Sequence, residues 1–204
     1  MPGHDHSGDK QKPLVVFVGR SNVGKSSTIR ALTGKKVRVG KSPGSTTREY
    51  MVDHGPITIV DVPGFGFMAG TSKKNIEETK TAIIQNLERW GEQIILAILV
   101  IDISLFSELV ERWEKRGEIP IDIEFYTFLS EITKRVIVVA NKSDKLRKKE
   151  RFGEIEYLRE RLRHAVPDRE PTIVPISAAK KRNISTLKKL IEESLSDGGI
   201  TMSW

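Results

Sequence analysis

The 204-residue chain contains no cysteine. That removes disulfides, thiolate chemistry and cysteine-based zinc sites together, and it fits an intracellular protein. Long apolar runs are missing as well. The longest, Ile94 to Ile101, has eight residues, where a membrane-spanning helix needs about 20. No basic segment followed by an apolar one opens the chain as a secretory signal would. No stretch repeats, and no Pro-rich linker divides the chain. These absences point to a cytoplasmic protein built as one domain, long enough to bury a substantial core and with no membrane partner. What the chain has in excess is positive charge. Its 34 Lys and Arg against 27 Asp and Glu give a formal net charge of +7, a footprint of polyanion binding that basic proteins without such partners also carry.

The central stretch is Gly19-Arg20-Ser21-Asn22-Val23-Gly24-Lys25-Ser26-Ser27. The apolar run Leu14 to Val18 predicts a buried strand before it, and Thr28 to Leu32 predicts a helix after it. Strand, glycine-rich loop and helix is the context a G-x-x-x-x-G-K-[ST] phosphate loop requires. Gly19 and Gly24 let the backbone curl so that successive N–H groups face phosphate oxygens at the positive end of the helix. Ser21, Asn22, Val23, Gly24, Lys25, Ser26 and Ser27 are therefore candidate nucleotide-binding residues. Lys25 supplies a mobile point charge for the β- and γ-phosphates, and the Ser26 hydroxyl is a candidate Mg²⁺ ligand.

In chain order, residues 1–12 carry no apolar period and predict a disordered leader, in which His4 and His6 are incidental. Lys35 to Thr47 reads as a mobile loop where a nucleotide-sensing switch would lie. Glu49 to Asp53 and Ile57 to Val60 flank His54-Gly55-Pro56 and predict a hairpin, with His54 as a turn residue. The second hairpin strand runs into Asp61-Val62-Pro63-Gly64, an Asp at a strand's carboxyl end where a Mg²⁺-directed carboxylate belongs. Phe65 to Gly70 reads as a flexible second switch whose aromatics change partners, against the plainer reading that Phe65 and Phe67 pack in a core. Lys73 to Trp90 has helical spacing, Ile94 to Ile101 is a central strand, Glu108 to Arg116 is simply charged, and Ile121 to Ile132 is an amphipathic helix.

Arg135 to Ala140 predicts another buried strand, ending at Asn141-Lys142-Ser143-Asp144. This matches the base-binding N-K-x-D signature. The Asp144 carboxylate complements the N1–H and exocyclic N2–H₂ of guanine, a donor pair adenine lacks. Asn141 is placed to bond near N7, and the Lys142 stem to cover the base and brace the phosphate loop. Lys145 to Arg163 is basic and turns helical, and a solvated face laced with Glu150, Glu154, Glu156 and Glu160 accounts for it. Thr172 to Ile176 predicts the last strand. It leads to Ser177 and Ala178, whose N–H groups are candidates for the guanine O6, and to Lys180, Lys181 and Arg182. Ile184, Leu187, Leu190 and Ile191 give a final helix its apolar face, and residues 196–204 predict a frayed tail in which Trp204 has no partner.

Phosphate loop, switch Thr, D-x-x-G, N-K-x-D and S-A-[AK], in that order over residues 14–180, resemble the translation-factor branch of P-loop GTPases. The wording of the phosphate loop, of Pro43-Gly44-Ser45-Thr46 and of Asp61-Val62-Pro63-Gly64-Phe65-Gly66-Phe67 is similar to the EngB/YihA family, whose usual third motif is D-L-P-G-Y-G-Y. The resemblance implies an α/β fold, a Ras-like G domain over residues 13–195: a mostly parallel six-stranded sheet with one antiparallel edge strand and helices on both faces. It implies a GTP/GDP-binding switch, monomeric when free, that hydrolyses GTP slowly with Mg²⁺ held by Ser26, Thr46 and Asp61. Lys25, Thr46 and Gly64 are the candidate catalytic groups, and either Thr46 or Thr47 is the switch ligand. It also implies a ribosomal large subunit or rRNA as partner, in ribosome assembly. Asn22 matches the phosphate-loop Asn of GTPases that recruit K⁺. The chain departs from the family at Phe65 and Phe67, which stand for Tyr, at Thr47, and over Asp102 to Gly117. Phe65 occupies the position of the water-orienting Gln of Ras-like enzymes and cannot do that work, which implies a partner that completes the site. A GTP/GDP-sensing RNA tether with negligible turnover is the alternative; a P-loop ATPase is disfavoured by Asp144.

Overall fold

The computed structural model describes residues 12–35, 50–65 and 73–204, and for residues 73–76 the backbone alone. Residues 1–11 of the expected leader, the switch loop with Thr46 and Thr47, and Gly66 to Gly70 with Phe67 lie outside the described residues.

Six strands form one sheet: β1 (Leu14–Val18), β2 (Tyr50–His54), β3 (Ile57–Asp61), β4 (Ile94–Asp102), β5 (Val136–Asn141) and β6 (Thr172–Pro175), in the order β2-β3-β1-β4-β5-β6. All neighbours pair in parallel except β2 with β3, so the predicted single antiparallel edge is present. The helices are α1 (Lys25–Thr33), α2 (Lys73–Trp90), α3 (Phe106–Glu114), α4 (Ile121–Ile132), α5 (Lys148–Ala165) and α6 (Ile184–Ser196).

The two faces of the sheet are separated by strand alternation. Val15 and Phe17 of β1 pack with Ile29 and Leu32 of α1 and with Ile184, Leu187, Ile191 and Leu195 of α6. Val16 and Val18 pack on the other face with Leu87 of α2, Val110 of α3, Phe125 and Leu129 of α4, and Leu158 of α5. A strand buried on both faces must be apolar throughout, which is why β4 is the longest apolar run of the chain. The register sets Phe17 opposite both Asp61 and Ile98, and Asp102 opposite Asn141. Asp61, Asp102, Asn141 and the loop after β1 therefore emerge at one edge, where strand order reverses and where open α/β sheets place their ligands.

Three local expectations are corrected. The segment read only as charged forms α3, because Phe106, Val110 and Trp113 recur at helical spacing and reach the core between charged neighbours. His54 is the last residue of β2, paired with Ile57, and the turn is Gly55-Pro56. The tail does not fray. Trp204 donates from Nε1 to the carbonyl of Lys188 at 3.3 Å and packs on His54 with ring centroids 4.8 Å apart. The Lys188 ammonium lies 5.3 Å from the indole centroid, so a ring and a cation tie the tail to α6 and the hairpin.

Candidate nucleotide-binding site

The loop between β1 and α1 has the shape its glycines demand. Gly19 (φ 148°) lies so close to β4 that a Cβ there would sit 2.3 Å from the Val100 carbonyl oxygen. Gly24 (φ 101°) leaves the same 2.3 Å to the Asn141 side-chain nitrogen. Both positions exclude a side chain on two counts, conformation and space. Lys25 is buried at the start of α1, its ammonium donating to the carbonyls of Gly19 (2.8 Å) and Arg20 (3.1 Å). Two of its three donors are thus engaged by the loop itself. Burial draws its pKa down to about 8 against the opposing charges of Asp61 and Asp122. A buried cation with so little counter-charge is electrostatically matched to an arriving phosphate.

Ser26 and Asp61 meet at the end of β3, the hydroxyl donating to one carboxylate oxygen at 2.5 Å. The other carboxylate oxygen of Asp61 is buried with no hydrogen-bond partner, and burial raises its pKa above the usual carboxylate value. A hydroxyl, a carboxylate and a vacant buried oxygen beside a phosphate loop form a hard-oxygen set suited to a cation that keeps waters and phosphate oxygens as its remaining ligands. No cluster of three or more acidic or His side chains stands among the described residues to form an all-protein cage.

The base-pocket residues converge from β5 and the loop after β6. Asn141 is buried and bonds in two directions: its amide nitrogen donates to the Val23 carbonyl at 2.8 Å, and its amide oxygen accepts from the Ala178 N–H at 3.0 Å. One side chain thus clasps the phosphate loop to the third motif. The Ala178 N–H expected at the guanine O6 is engaged by Asn141 here, and the Ser177 N–H donates to the Arg182 carbonyl at 3.2 Å. Lys142, in a left-handed conformation (φ 61°), donates to the Asn22 carbonyl at 2.6 Å and to Asp102 at 2.7 Å. The Ser177 hydroxyl holds the Asp144 carboxyl below its usual value, with lesser help from Lys180 and Arg182. The Asn22 side chain is exposed.

The D-x-x-G segment docks directly on the phosphate loop. The Ser21 N–H donates to the Phe65 carbonyl at 2.9 Å, and its hydroxyl to the Gly64 carbonyl at 3.2 Å. A Cβ on Gly64 would stand 2.7 Å from the Ser21 Cα. Phe65 is 1% exposed and stacked on Phe125 of α4, with centroids 3.7 Å apart and planes 6° from parallel. In this structure Phe65 is core, which corrects the preference for a ring free to change partners.

Three further residues belong to the site: Asp102 and Asp122, which lie in no motif, and Arg20, a variable position of the phosphate loop. Asp102 ends β4 and receives Lys142. Arg20 reaches from the phosphate loop toward Asp122 on α4, at 3.7 Å. Asp122 is buried, one of its oxygens has no partner, and burial pushes its pKa up to about 6 despite Arg20. An acid at the end of a buried apolar strand is the one visible cue, and it points only to Asp102. The Asp122 shift has a direct consequence. The folded carboxyl titrates near 6 and the unfolded one near 4, so between those values the folded state holds the extra proton and stability falls as pH rises. Urea midpoints of nucleotide-free protein between pH 4 and 7 should show this decline. Asp61 contributes a slope of the same sign, so Asp122→Asn should flatten the profile by up to about 3 kcal/mol rather than abolish it. An unchanged profile in that variant would refute the assignment.

Residues 14–142 match the family model described as 50S ribosome-binding GTPase. A probable GTP-binding protein EngB of Pyrococcus abyssi is 45% identical over 179 residues, covering 88% of this chain and 84% of that protein. A crystal structure of a probable GTP-binding protein engB superposes with a TM-score of 0.80 at 42% identity, covering 90% of this chain and 99% of that one. A structure of Era in complex with MgGDPNP and nucleotides 1506–1542 of 16S ribosomal RNA gives a TM-score of 0.62 at 28% identity, over 89% of this chain and 56% of that one. A phosphate loop clasped to a guanine-type base motif, on this fold and with these relatives, places the chain in the EngB family of GTP-binding proteins, with a GTPase domain.

Proposed function

We propose that the chain is a cytoplasmic, monomeric GTPase switch with slow intrinsic turnover that acts in large-subunit ribosome assembly, its G domain running over residues 13–195. The observation that carries the slow turnover is Phe65, buried against Phe125 at the position that would otherwise present a water-orienting side chain. Phosphoryl transfer to water depends mainly on charge stabilisation and positioning. Lys25 and the loop N–H groups from Ser21 to Ser27 meet the phosphate charge, with Thr46 and the Gly64 loop as the parts that respond to the γ-phosphate. Ser26, Asp61 and Thr46 would hold Mg²⁺, which neutralises charge on the phosphates when bound. Asp144 reads the guanine edge, Asn141 and Lys142 hold the pocket to the phosphate loop, and Ser177 and Ala178 shape its far wall. Nothing in this set orients the attacking water, so a partner completes it. The family description of 50S ribosome binding supports the large subunit as that partner, and Era's complex with ribosomal RNA supports RNA contact by a related G domain.

Multiple-turnover GTP hydrolysis with and without large ribosomal subunits, in KCl and in NaCl, tests the reading. Stimulation of at least tenfold by the subunit is expected. A KCl requirement would place K⁺ at Asn22, and equal rates in the two salts would exclude it. Tight GTP and GDP binding without turnover under any condition would favour the tether, which the burial of Phe65 also suits. Turnover that is fast without any partner would overturn the proposal.

A further inference from the structure

The basic residues of the segment Lys145 to Arg163 divide into two groups that the sequence does not separate. Those in the second half of α5 are neutralised. Arg159 pairs with Glu156 and Glu170, Arg161 with Glu114, and Arg163 with Glu170 at 2.6 Å. The first group is not. Residues 145–152, K-L-R-K-K-E-R-F, carry five cations and one carboxylate, and that carboxylate, Glu150, turns back to accept the Arg147 N–H at 3.0 Å. Among the described residues no carboxylate lies within ion-pair distance of Lys145, Arg147, Lys148 or Lys149, all four of them exposed.

The placement runs against the fold's own electrostatics. Lys148 and Lys149 open α5, where the helix dipole favours acids and disfavours cations. Phe152, one turn on from both, is 70% exposed, the highest value of any large apolar side chain among the described residues. Leu105, in the turn after β4, is 43% exposed, and just beyond it the first turn of α3 is fastened to α5, where the Ser107 hydroxyl donates to Glu154 at 2.7 Å. On the other side of Asp144, the exposed Lys180, Lys181 and Arg182 occupy a tight loop closed by the Ser177–Arg182 bridge, with Lys181 (φ 51°) and Asn183 (φ 56°) in left-handed conformations. These three cations also lack an ion pair among the described residues.

Unpaired cations on both sides of the base pocket, with a bare aromatic ring among them, suit a chain of phosphates that carries flat rings of its own. An acidic peptide has no use for the ring, and a membrane surface would require a broader apolar face than Phe152 and Leu105 supply. We propose that this crescent binds RNA, with phosphates on Lys148, Lys149 and the Lys180–Arg182 loop and an unpaired base stacked on Phe152. The inference rests on the ribosome reading above and names the face that would meet RNA.

The test is binding of a fluorescently labelled, unstructured RNA 12-mer to GDP-loaded protein across a range of KCl concentrations. Lys148→Gln/Lys149→Gln should shallow the slope of log affinity against log salt by about 1.4, at about 0.7 for each single-strand phosphate contact. Phe152→Ala should weaken binding by about 5- to 160-fold at fixed salt and leave the slope unchanged. GDP affinity should be unaltered in both variants. An unchanged affinity in Phe152→Ala, an unchanged slope in the lysine variant, or binding to polyglutamate or phosphatidylserine vesicles as tight as to RNA would overturn the proposal. Cosedimentation with large subunits separates this from the ribosome reading. If both variants cosediment as wild type does, the crescent is wrong and the reading stands. If wild type fails to cosediment, the reading falls and the RNA titration decides the crescent alone.

Discussion

Asp144→Asn is expected to weaken GTP by about three orders of magnitude and to admit xanthosine triphosphate in its place. The carboxylate can accept two charge-assisted hydrogen bonds from the guanine edge, each worth about 1.5–3 kcal/mol. An amide in that position loses the charge and turns an N–H₂ toward the base donors. Sites built to pair with a specific polar edge discriminate strongly, because a mismatch leaves buried groups unpaired. Xanthine offers a C2 carbonyl where guanine has its amine, and the new amide can donate to it. The Ser177 hydroxyl and the cations of the following loop already hold the Asp144 carboxyl ionised, so the wild-type preference should persist well into mildly acidic solution. Competition of GTP and XTP against a fluorescent nucleotide measures the ratio. An unaltered preference for GTP would remove Asp144 from the base pocket.

The second large effect should come from Asn141→Ala, and it should appear before any nucleotide is added. Truncation leaves the buried Val23 carbonyl and Ala178 N–H without their partners, at about 1–3 kcal/mol each. Together that is about 2–6 kcal/mol, so the melting temperature of the free protein should fall by about 4–24 °C, given about 2–4 °C per kcal/mol for a chain of this size. Nucleotide affinity should fall at least 100-fold besides, since the phosphate loop and the base pocket lose their common anchor. Calorimetry with and without GDP separates the two losses. A residue that only touched the base would lower affinity and leave the free protein's melting temperature where it was.

Asn141 also marks the limit of what could be read before the structure. N-K-x-D identifies an amide near a base, but residue type names only the donors and acceptors on offer. Which groups receive them depends on residues far off in the chain, Val23 at 118 positions and Ala178 at 37. The phosphate loop was legible because its glycines answer a backbone requirement local to the loop, and α2 and α4 because apolar periodicity is also local. α3 was hidden by charges that outnumber its three inward residues. Asp122 reads in sequence like any acid in a helix's first turn, although the fold buries it beside Arg20. The two halves of the basic segment could not be told apart, since Glu114 and Glu170, which neutralise the second half, approach from other elements.

The stacked rings of Phe65 and Phe125 bear on how this protein can change over generations. Sixty positions apart in the chain, they share one closely packed volume at 3.7 Å, and interiors at that density do not absorb a larger ring on one side alone. A Trp at 65 would find its second-site suppressor in a smaller residue at 125, and a truncation at 125 would be answered by added bulk at 65. Inheritance should therefore treat the residue after D-x-x-G and the first turns of α4 as one locus, and lineages that alter the switch should carry the record of it on a helix outside every nucleotide motif.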